Sequence, residues 1–529
     1  MATITLNKKD VLKLIGKNVS DKDLEKAAMM GTPVEEITKD EITIEVFPNR
    51  PDLLSEEGFA RALSAFLGVK KGLREYKVNK SNYKFKIDAK VKSVRPCVAQ
   101  AVVKDIKLDA DAVNSLMKLQ EKIHLTHGRN RKKVSMGLYD LDKIKFPLTY
   151  TTKPVDFKFQ PLDGEEMSLH DVLERHPKGI EFGHLLNGFK EYPVWLDKDN
   201  KVLSMPPIIN SEDTRVTAET KNLFIDSTGT DQNAVELAIN IIVAACADRG
   251  GKIYQVNSFP DMKARSLKLD LNYINKLTGL DVKLNEIRGL FDRMGLGVKG
   301  NSVLIPTYRS DIIGQVDLAE EIAIAYGYDK IKAEIPNIST IGEEDKFEKF
   351  KRRVAETLIG LGLLESNTNH LINSEEQTKK MNSSIKFVKL KNSVSKEYDS
   401  LRAWLIPSLM LVLKNNRHRE YPQNIFEIGR IFSEKGEITR VAVLLSNVNS
   451  GFTEIKQILD ALALSLGVKF DLKETEHDSF ISGRVARVSC GGKEIAYIGE
   501  IHPRCLENFE LEMPVAALEL NLSELAELV

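Results

Sequence analysis

Apolar and polar residues alternate over EITIEVFP at 41–48, the two-residue rhythm of a strand with one buried face, and Pro48 to Pro51 turns the chain behind it. Around that strand the rhythm lengthens to helical spacing. Residues 10–16 and 21–29 predict short amphipathic helices, and 53–67 predicts a longer one stopping at Gly68, a residue suited to the C-terminal cap. YKFKIDAKVK at 83–92 alternates lysines with apolar residues and predicts a strand with one wet face. Together these predict an α/β domain over 1–88. From 89 to 258 short strands dominate: AQAVVKDIKL, KKVSMGLYDL, VDFKFQPL, KVLSMPPIIN, NLFIDSTGT and KIYQVNSF, with one long helix over 232–247. That spacing predicts a β-rich domain whose loops build a pocket. Residues 259–337 predict a small module with helices over 271–278, 284–294 and 317–326 and a strand over 302–306. The remainder, 338–529, opens on a charged joint. It then alternates helices (347–361, 400–414, 453–466) with strands such as IFEIGRIFS, RVAVLLS, RVARVSC and EIAYIGEIH. An antiparallel-rich sheet with flanking helices follows, so the fold class is multidomain α/β and α+β.

Composition narrows the setting. The 529 residues suggest roughly three to five domains. Lys+Arg and Asp+Glu both number 76, which excludes a chain coated in basic charge but leaves local patches open. Four scattered cysteines with no CxxC pair argue against a disulfide framework or a cysteine zinc site, and for a reducing, cytoplasmic setting. MATITLNKKD has no apolar h-region, so no secretory signal is expected. The most apolar stretches, 241–247 and 403–413, are far too short to span a membrane.

Three segments carry candidate chemistry. In YRSDIIGQVDLAEEIAIAYGYDKI at 308–331, helical spacing places Asp317, Glu320 and Glu321 on one face, with Leu318, Ile322 and Ala325 on the other. Asp311 can fold back toward the same acids. Oxygen donors without His or Cys suit magnesium. Equally, acids gather in a first helical turn because they offset the macrodipole. In the second segment, Pro206 and Pro207 stiffen one wall before Asn210, Ser211, Glu212 and Asp213, while Asp226, Ser227 and Thr228 end a strand. The pattern builds either a small polar pocket or an ordinary Asx- and Ser/Thr-rich turn. In the third, Arg129, Arg131, Lys132 and Lys133 precede a strand and could hold a phosphate backbone or simply be solvated. His124 and His127 lack a third ligand, so zinc is not expected. No GxxxxGK[ST], GxSxG or HExxH motif occurs, and no complete ATP site is readable.

In order along the chain, FPNRPDLLSEEGFARAL, RKKVSMGLYDLDKIK, HPKGIEFGHLLNG, VLSMPPIINSEDTRV, NLFIDSTGTD, the 308–331 segment, KNSVSKEYDSLRAWLIPSLMLVLKNN and YIGEIHPRCLENF resemble the β-subunit family of phenylalanyl-tRNA synthetase. There is no room for the oligonucleotide-binding insert or the anticodon-binding domain of the bacterial type, which points to the archaeal and eukaryotic form. The resemblance implies an editing domain over 89–258, a magnesium-bearing module over 259–337, and a class II synthetase-like domain over 338–529 that has lost its catalytic residues. Magnesium ligands then map onto Asp311, Asp317, Glu320 and Glu321, and the Arg402 and Arg430 segments become structural.

The resemblance also implies partners: an α subunit binding ATP and phenylalanine and carrying aminoacylation in an (αβ)₂ tetramer, with tRNA(Phe), and no membrane. Tyrosine exceeds phenylalanine by one hydroxyl, which an apolar pocket rejects only about a hundredfold, so a second site that rewards the hydroxyl can hydrolyse Tyr-tRNA. The implied editing residues are Leu203, Asn210, Ser211, Glu212, Asp226 and Thr228. Glu212 is the expected hydroxyl sensor, and Asp226 and Thr228 are expected to orient the ester or water. Arg129, Arg131, Lys132 and Lys133 are the implied tRNA contacts. The competing readings are a noncatalytic tRNA-binding scaffold with a decayed pocket and a free-standing metal hydrolase.

Overall fold

The alternation at 41–48 closes a small antiparallel sheet in a computed structural model that describes residues 2–17, 19–257, 259–434 and 436–529. Its strands are β1 (Ala2–Asn7), β2 (Val34–Ile37) and β3 (Glu41–Val46), in the order β1-β3-β2. Ile42, Ile44 and Val46 face inward in the same core as helices α1 (Lys8–Ile15), α2 (Asp21–Glu25) and α3 (Glu56–Phe66). The predicted helix at 21–29 splits, because only its first turn is α-helical and Lys26–Met30 tightens to 3₁₀ before Gly31. The chain divides after Ile335 into two compact units.

In the first unit, two five-stranded sheets pack face to face. One contains β4 (Val78–Asn79), β6 (Cys97–Lys104), β7 (Val134–Asp140), β14 (Leu223–Gly229) and β15 (Lys252–Tyr254), in the order β4-β15-β6-β14-β7. The other contains β5 (Phe85–Ile87), β8 (Leu148–Pro154), β11 (Glu191–Leu196), β12 (Val202–Met205) and β13 (Ile209–Asn210), in the order β13-β12-β11-β8-β5. A short ribbon of β9 (Lys158–Phe159) and β10 (Met167–Ser168) lies between β8 and β11 in sequence. The predicted strand at 252–259 shortens to β15, and its Ser258 lies outside the described residues. Inward rows of alternate residues meet between the sheets, where Val98, Val102, Tyr139 and Phe224 pack on Tyr150, Trp195 and Leu203. The opposite face of the first sheet is covered by α4 (Ala110–Leu125) and α7 (Gln232–Asp248). Helix α7 is apolar on nearly every side because it is buried on nearly every side. Helix α4 was not predicted, nor were α5 (Leu169–Arg175) and α6 (Pro177–Phe182).

The small module holds strands β16 (Arg265–Lys268), β17 (Gly297–Lys299) and β18 (Ser302–Ile305), with α8 (Leu271–Thr278), α9 (Leu284–Arg293) and α10 (Gln315–Tyr326). The second unit is built on a seven-stranded sheet running Leu364–Glu365, Gln423–Ser433, Gly436–Ser446, Val515–Asn521, Lys493–Ile501, Phe480–Cys490, Asp471–Glu474. All its pairs are antiparallel except the first. Helices Lys346–Gly360 and Phe452–Leu466 share one core with it, and Ile406–Asn416 another. The helix predicted from 400 begins at Ile406, with Pro407 in its first turn, where a missing N–H costs nothing. Among the described residues no helix is long and apolar enough to cross a membrane.

Candidate functional site

A cavity of about 170 Å³ opens at the β7/β13 edge of the two packed sheets. Helix α4 supplies Gln120 and His124, β7 supplies Ser135, Gly137 and Tyr139, and β12 supplies Ser204. Pro206, Pro207 and Asn210 form a wall, and β14 supplies Asp226. Antiparallel register puts Asp226 opposite Gly137, so the carboxylate reaches the cavity over a residue without a side chain. Asp226 is 1% exposed. Its Oδ1 accepts from the Tyr139 hydroxyl at 2.5 Å and its Oδ2 from Trp195 Nε1 at 3.0 Å. Burial outweighs both bonds and the Arg95 charge, and pushes the Asp226 carboxyl up to about 7. The Tyr139 hydroxyl also shares a 2.7 Å hydrogen bond with Ser204 Oγ.

The wall is braced by Arg131, which has a left-handed backbone, as do Arg129 and Asn130 before it. Its guanidinium donates to Ile208 O at 2.7 Å, Pro207 O at 3.3 Å and Glu121 Oε2 at 2.8 Å, and stacks on Phe182. Arg131 Nε and Gln120 Oε1 are buried at this cavity with no partner among the described residues. His124 is committed: Met136 N–H donates to its Nε2 at 2.9 Å, leaving Nδ1–H for Glu121. Burial holds this imidazole below its usual range, so it stays neutral. Among the described residues no activated nucleophile lines the cavity.

The predicted editing residues separate into three groups. Asn210 and Asp226 line the cavity. Leu203, Ser211 and Thr228 lie in the layer behind it. Leu203 packs between the sheets, Ser211 Oγ donates to Gln160 O and caps the turn at 212–214, and Thr228 is held by Arg95 and Ser135. Glu212, the expected hydroxyl sensor, has a side chain 33% exposed and lies outside the lining of this cavity. Arg215 grips it at 2.7 Å and holds its carboxyl below the usual range. The four expected surface cations are also redistributed. Arg131 is buried, Lys133 pairs with Asp231 at 3.3 Å, and Arg129 and Lys132 remain exposed. Sequence reasoning missed Gln120, Tyr139 and Ser204. The readable signals were Asp109 as an N-cap and the spacing of Ala112, Leu116, Leu119 and Ile123, which mark α4.

The acidic cluster of the small module is arranged around an arginine. Arg309, 3% exposed, donates to Asp311 at 2.8 and 2.6 Å and to Glu321 at 2.6 and 3.2 Å. Asp317 accepts from the backbone N–H groups of Ile313 and Gly314 at 2.7 and 2.8 Å, capping α10. Glu320 is exposed, and burial with the charges of Glu321, Asp317 and Asp311 raises its carboxyl. The acids converge, but among the described residues no group of three or more His, Cys, Asp or Glu is placed to hold a metal ion. In this arrangement two members of the expected set, Asp311 and Glu321, are bound by Arg309, and Asp317 caps α10. Glu321 is buried, not turned outward, because Arg309 lies behind it.

In the second unit Arg402 is buried among acceptors: Glu427 at 2.6 Å, Thr368 Oγ1 at 2.8 Å and Arg430 O at 2.7 Å accept from it. Arg430 pairs at the surface with Glu437 at 3.1 Å.

Three protein families match the chain: the B3/4 domain over residues 80–244, the tRNA synthetase B5 domain over 267–328, and the phenylalanyl tRNA synthetase beta chain CLM domain over 331–522. The phenylalanine--tRNA ligase beta subunit of Pyrococcus abyssi is 45% identical over 499 residues, 90% of each chain. That of Archaeoglobus fulgidus is 37% identical over 540 residues, 99% of this chain and 98% of its own. A crystal structure of an N-terminal fragment of the Pyrococcus horikoshii phenylalanyl-tRNA synthetase β subunit superposes with a TM-score of 0.59 at 39% identity, covering 61% of this chain and 99% of that one. With relatives this similar over nearly their whole length, the chain belongs to the phenylalanine--tRNA ligase beta subunit family.

Proposed function

We propose that the chain works as the β subunit of an (αβ)₂ ligase whose α subunit binds ATP and phenylalanine and charges tRNA(Phe), and that its Asp226 cavity hydrolyses tRNA wrongly charged with tyrosine. The domains at 89–258, 259–337 and 338–529 are then an editing domain, a small bracing module and a class II-like body. In that body Arg402 is spent on Glu427, which suits a docking role better than nucleotide chemistry. Exposed Leu364 and Leu464 offer apolar surface to the α subunit.

One observation carries the editing reading. Among the described residues Asp226 is the only carboxylate lining the cavity, and it is buried there with acceptor capacity to spare. A tyrosine hydroxyl reaching it gains a hydrogen bond, whereas phenylalanine leaves a buried acceptor unmet. Hydrolysis adds water to the ester carbonyl and returns the proton to the ribose oxygen as the acyl bond breaks. Gln120 Oε1, Asn210 and Arg131 Nε offer hydrogen bonds to that water and oxygen.

The test is deacylation of preformed Tyr-tRNA(Phe) by the complex of this chain with its α subunit. Asp226→Ala is expected to slow it by about a hundredfold. A wild-type complex that leaves Tyr-tRNA intact would instead establish a tRNA-binding scaffold with a decayed pocket.

A further inference from the structure

Within the cavity, Tyr139 presents a phenolic hydroxyl of its own to the residues that would meet a tyrosine. Its ring is fixed, stacked on Phe224 with centroids 5.4 Å apart and planes at 23°. Its hydroxyl bonds Asp226 Oδ1 at 2.5 Å and Ser204 Oγ at 2.7 Å. Gly137 makes the approach possible, because a Cβ there would overlap the Tyr139 hydroxyl and lie 2.8 Å from Asp226 Oδ1. From the other sheet, Trp195 Nε1 holds Oδ2 at 3.0 Å. A carboxylate offers about four acceptor directions. Tyr139 and Trp195 take one on each oxygen and, with the Gly137 backbone N–H, fix the plane of the group and the direction left over.

We propose that Tyr139 is a specificity-determining positioning residue: its hydroxyl, tied at once to Ser204 and Asp226, fixes the Asp226 carboxylate as an acceptor that a substrate phenol satisfies and a phenylalanine ring cannot. This rests on the editing reading above and names the group that makes that cavity discriminate. The discrimination exists while Asp226 is ionised. Once protonated, the group carries its own donor and no longer depends on the ligand.

The groups facing Asp226 are few. Tyr139 on β7, Trp195 on β11 and the Gly137 backbone N–H on β7 donate to it, the Arg95 guanidinium before β6 adds charge, Tyr150 on β8 stands nearby, and Gln100 on β6 lies opposite it in register. Of these, the Tyr139 bond is the largest influence opposing burial. Removing that one hydroxyl therefore raises the pH at which Asp226 ionises.

The experiment uses the full chain in complex with its α subunit, with Tyr-tRNA(Phe) and Phe-tRNA(Phe) as substrates from pH 6 to 9. Tyr139→Phe keeps the ring stack and removes the hydroxyl. The preference for Tyr-tRNA in kcat/KM is expected to fall at least tenfold at pH 7, and its midpoint to move to higher pH. Ser204→Ala, which leaves the Tyr139–Asp226 bond in place, should move the midpoint less. A preference and midpoint unchanged in Tyr139→Phe would overturn the proposal. The second measurement is independent of editing: a ¹³C titration of the Asp226 carboxyl in the chain. An upward shift in Tyr139→Phe supports the proposal even if no deacylation is seen, in which case the editing reading alone fails. No shift in a variant of unchanged melting temperature refutes the role of Tyr139.

Discussion

Two aspartates in the first unit, one buried and one half-buried, have opposite electrostatic fates. Asp311 sits against the Arg309 guanidinium, which holds its carboxyl below the ordinary range despite burial. Asp226 meets the neutral donors of Tyr139, Trp195 and the Gly137 backbone, with Arg95 as a weaker charge, and its carboxyl rises to about 7. The difference extends to the neighbours. Around Asp311, Arg309 chelates two carboxylates, and the Asp52–Arg50 pair at 2.9 Å continues the alternation of charge. Around Asp226, Gln120 and Arg131 each keep a polar atom with no partner among the described residues. A charge matched by an opposite charge fixes structure. A charge held by neutral donors, with unmet polar atoms beside it, is left sensitive to whatever enters.

The sharpest way to break this comparison is to remove the matching charge. Arg309→Gln leaves Asp311 and Glu321 facing each other in a buried site, and should cost about 3–5 kcal/mol of stability, read as an earlier denaturant midpoint for the full chain. An unchanged midpoint would mean that the arginine is not what settles those acids. The same operation on the cavity should give a contrasting result. Gln120→Met removes an amide oxygen that has no partner to lose, so stability should move by no more than about 0.5 kcal/mol. Deacylation of Tyr-tRNA should nonetheless fall by about tenfold. A variant that loses stability and keeps activity would reverse the distinction.

The contrast was only partly readable in the sequence. The Asp317, Glu320, Glu321 spacing on one helix was visible, and so was Asp311. What the pattern could not show was that Arg309, two residues before Asp311, turns inward and takes two of the four carboxylates. Helical periodicity ranks faces by hydrophobicity, and a buried Arg–Glu pair violates that ranking without changing it. At the cavity, Asp226 and Asn210 were readable because strand ends and double prolines mark rigid loops. Glu212 lies outside the lining of this cavity, and its partner, Arg215, only three residues away, draws it outward. Tyr139 and Gln120 were missed for different reasons. Tyr139 reads as a core aromatic, and it is one, with only its hydroxyl in the site. Gln120 sits on α4, whose polar surface in KLQEKIH masks the buried stripe of Leu116, Leu119 and Ile123. The sheet order that brings β7, β12 and β14 to one cavity depends on pairings distant in sequence, to which local rhythm is blind.

The smallest effect concerns divalent ions, and its smallness is the point. Four carboxylates with no counter-charge would repel each other and take up a cation. Here the positive charge is already covalently part of the chain: Arg309 lies 2.6 Å from both Asp311 and Glu321, and Asp317 spends an oxygen on two backbone N–H groups. Of the four, Glu320 alone has no hydrogen-bonding partner among the described residues, and one exposed carboxylate holds a hydrated ion loosely. Chelating divalent ions from the chain should therefore shift its melting temperature by no more than roughly 2 °C. In Arg309→Gln the counter-charge is gone, and added magnesium should become stabilising, restoring part of the lost midpoint. A large chelator effect on the wild-type chain, or ion density among Asp311 and Glu321 with Arg309 turned away, would show that the arginine yields the site to metal. The two regions would then differ in the ligand they await and not in whether they await one.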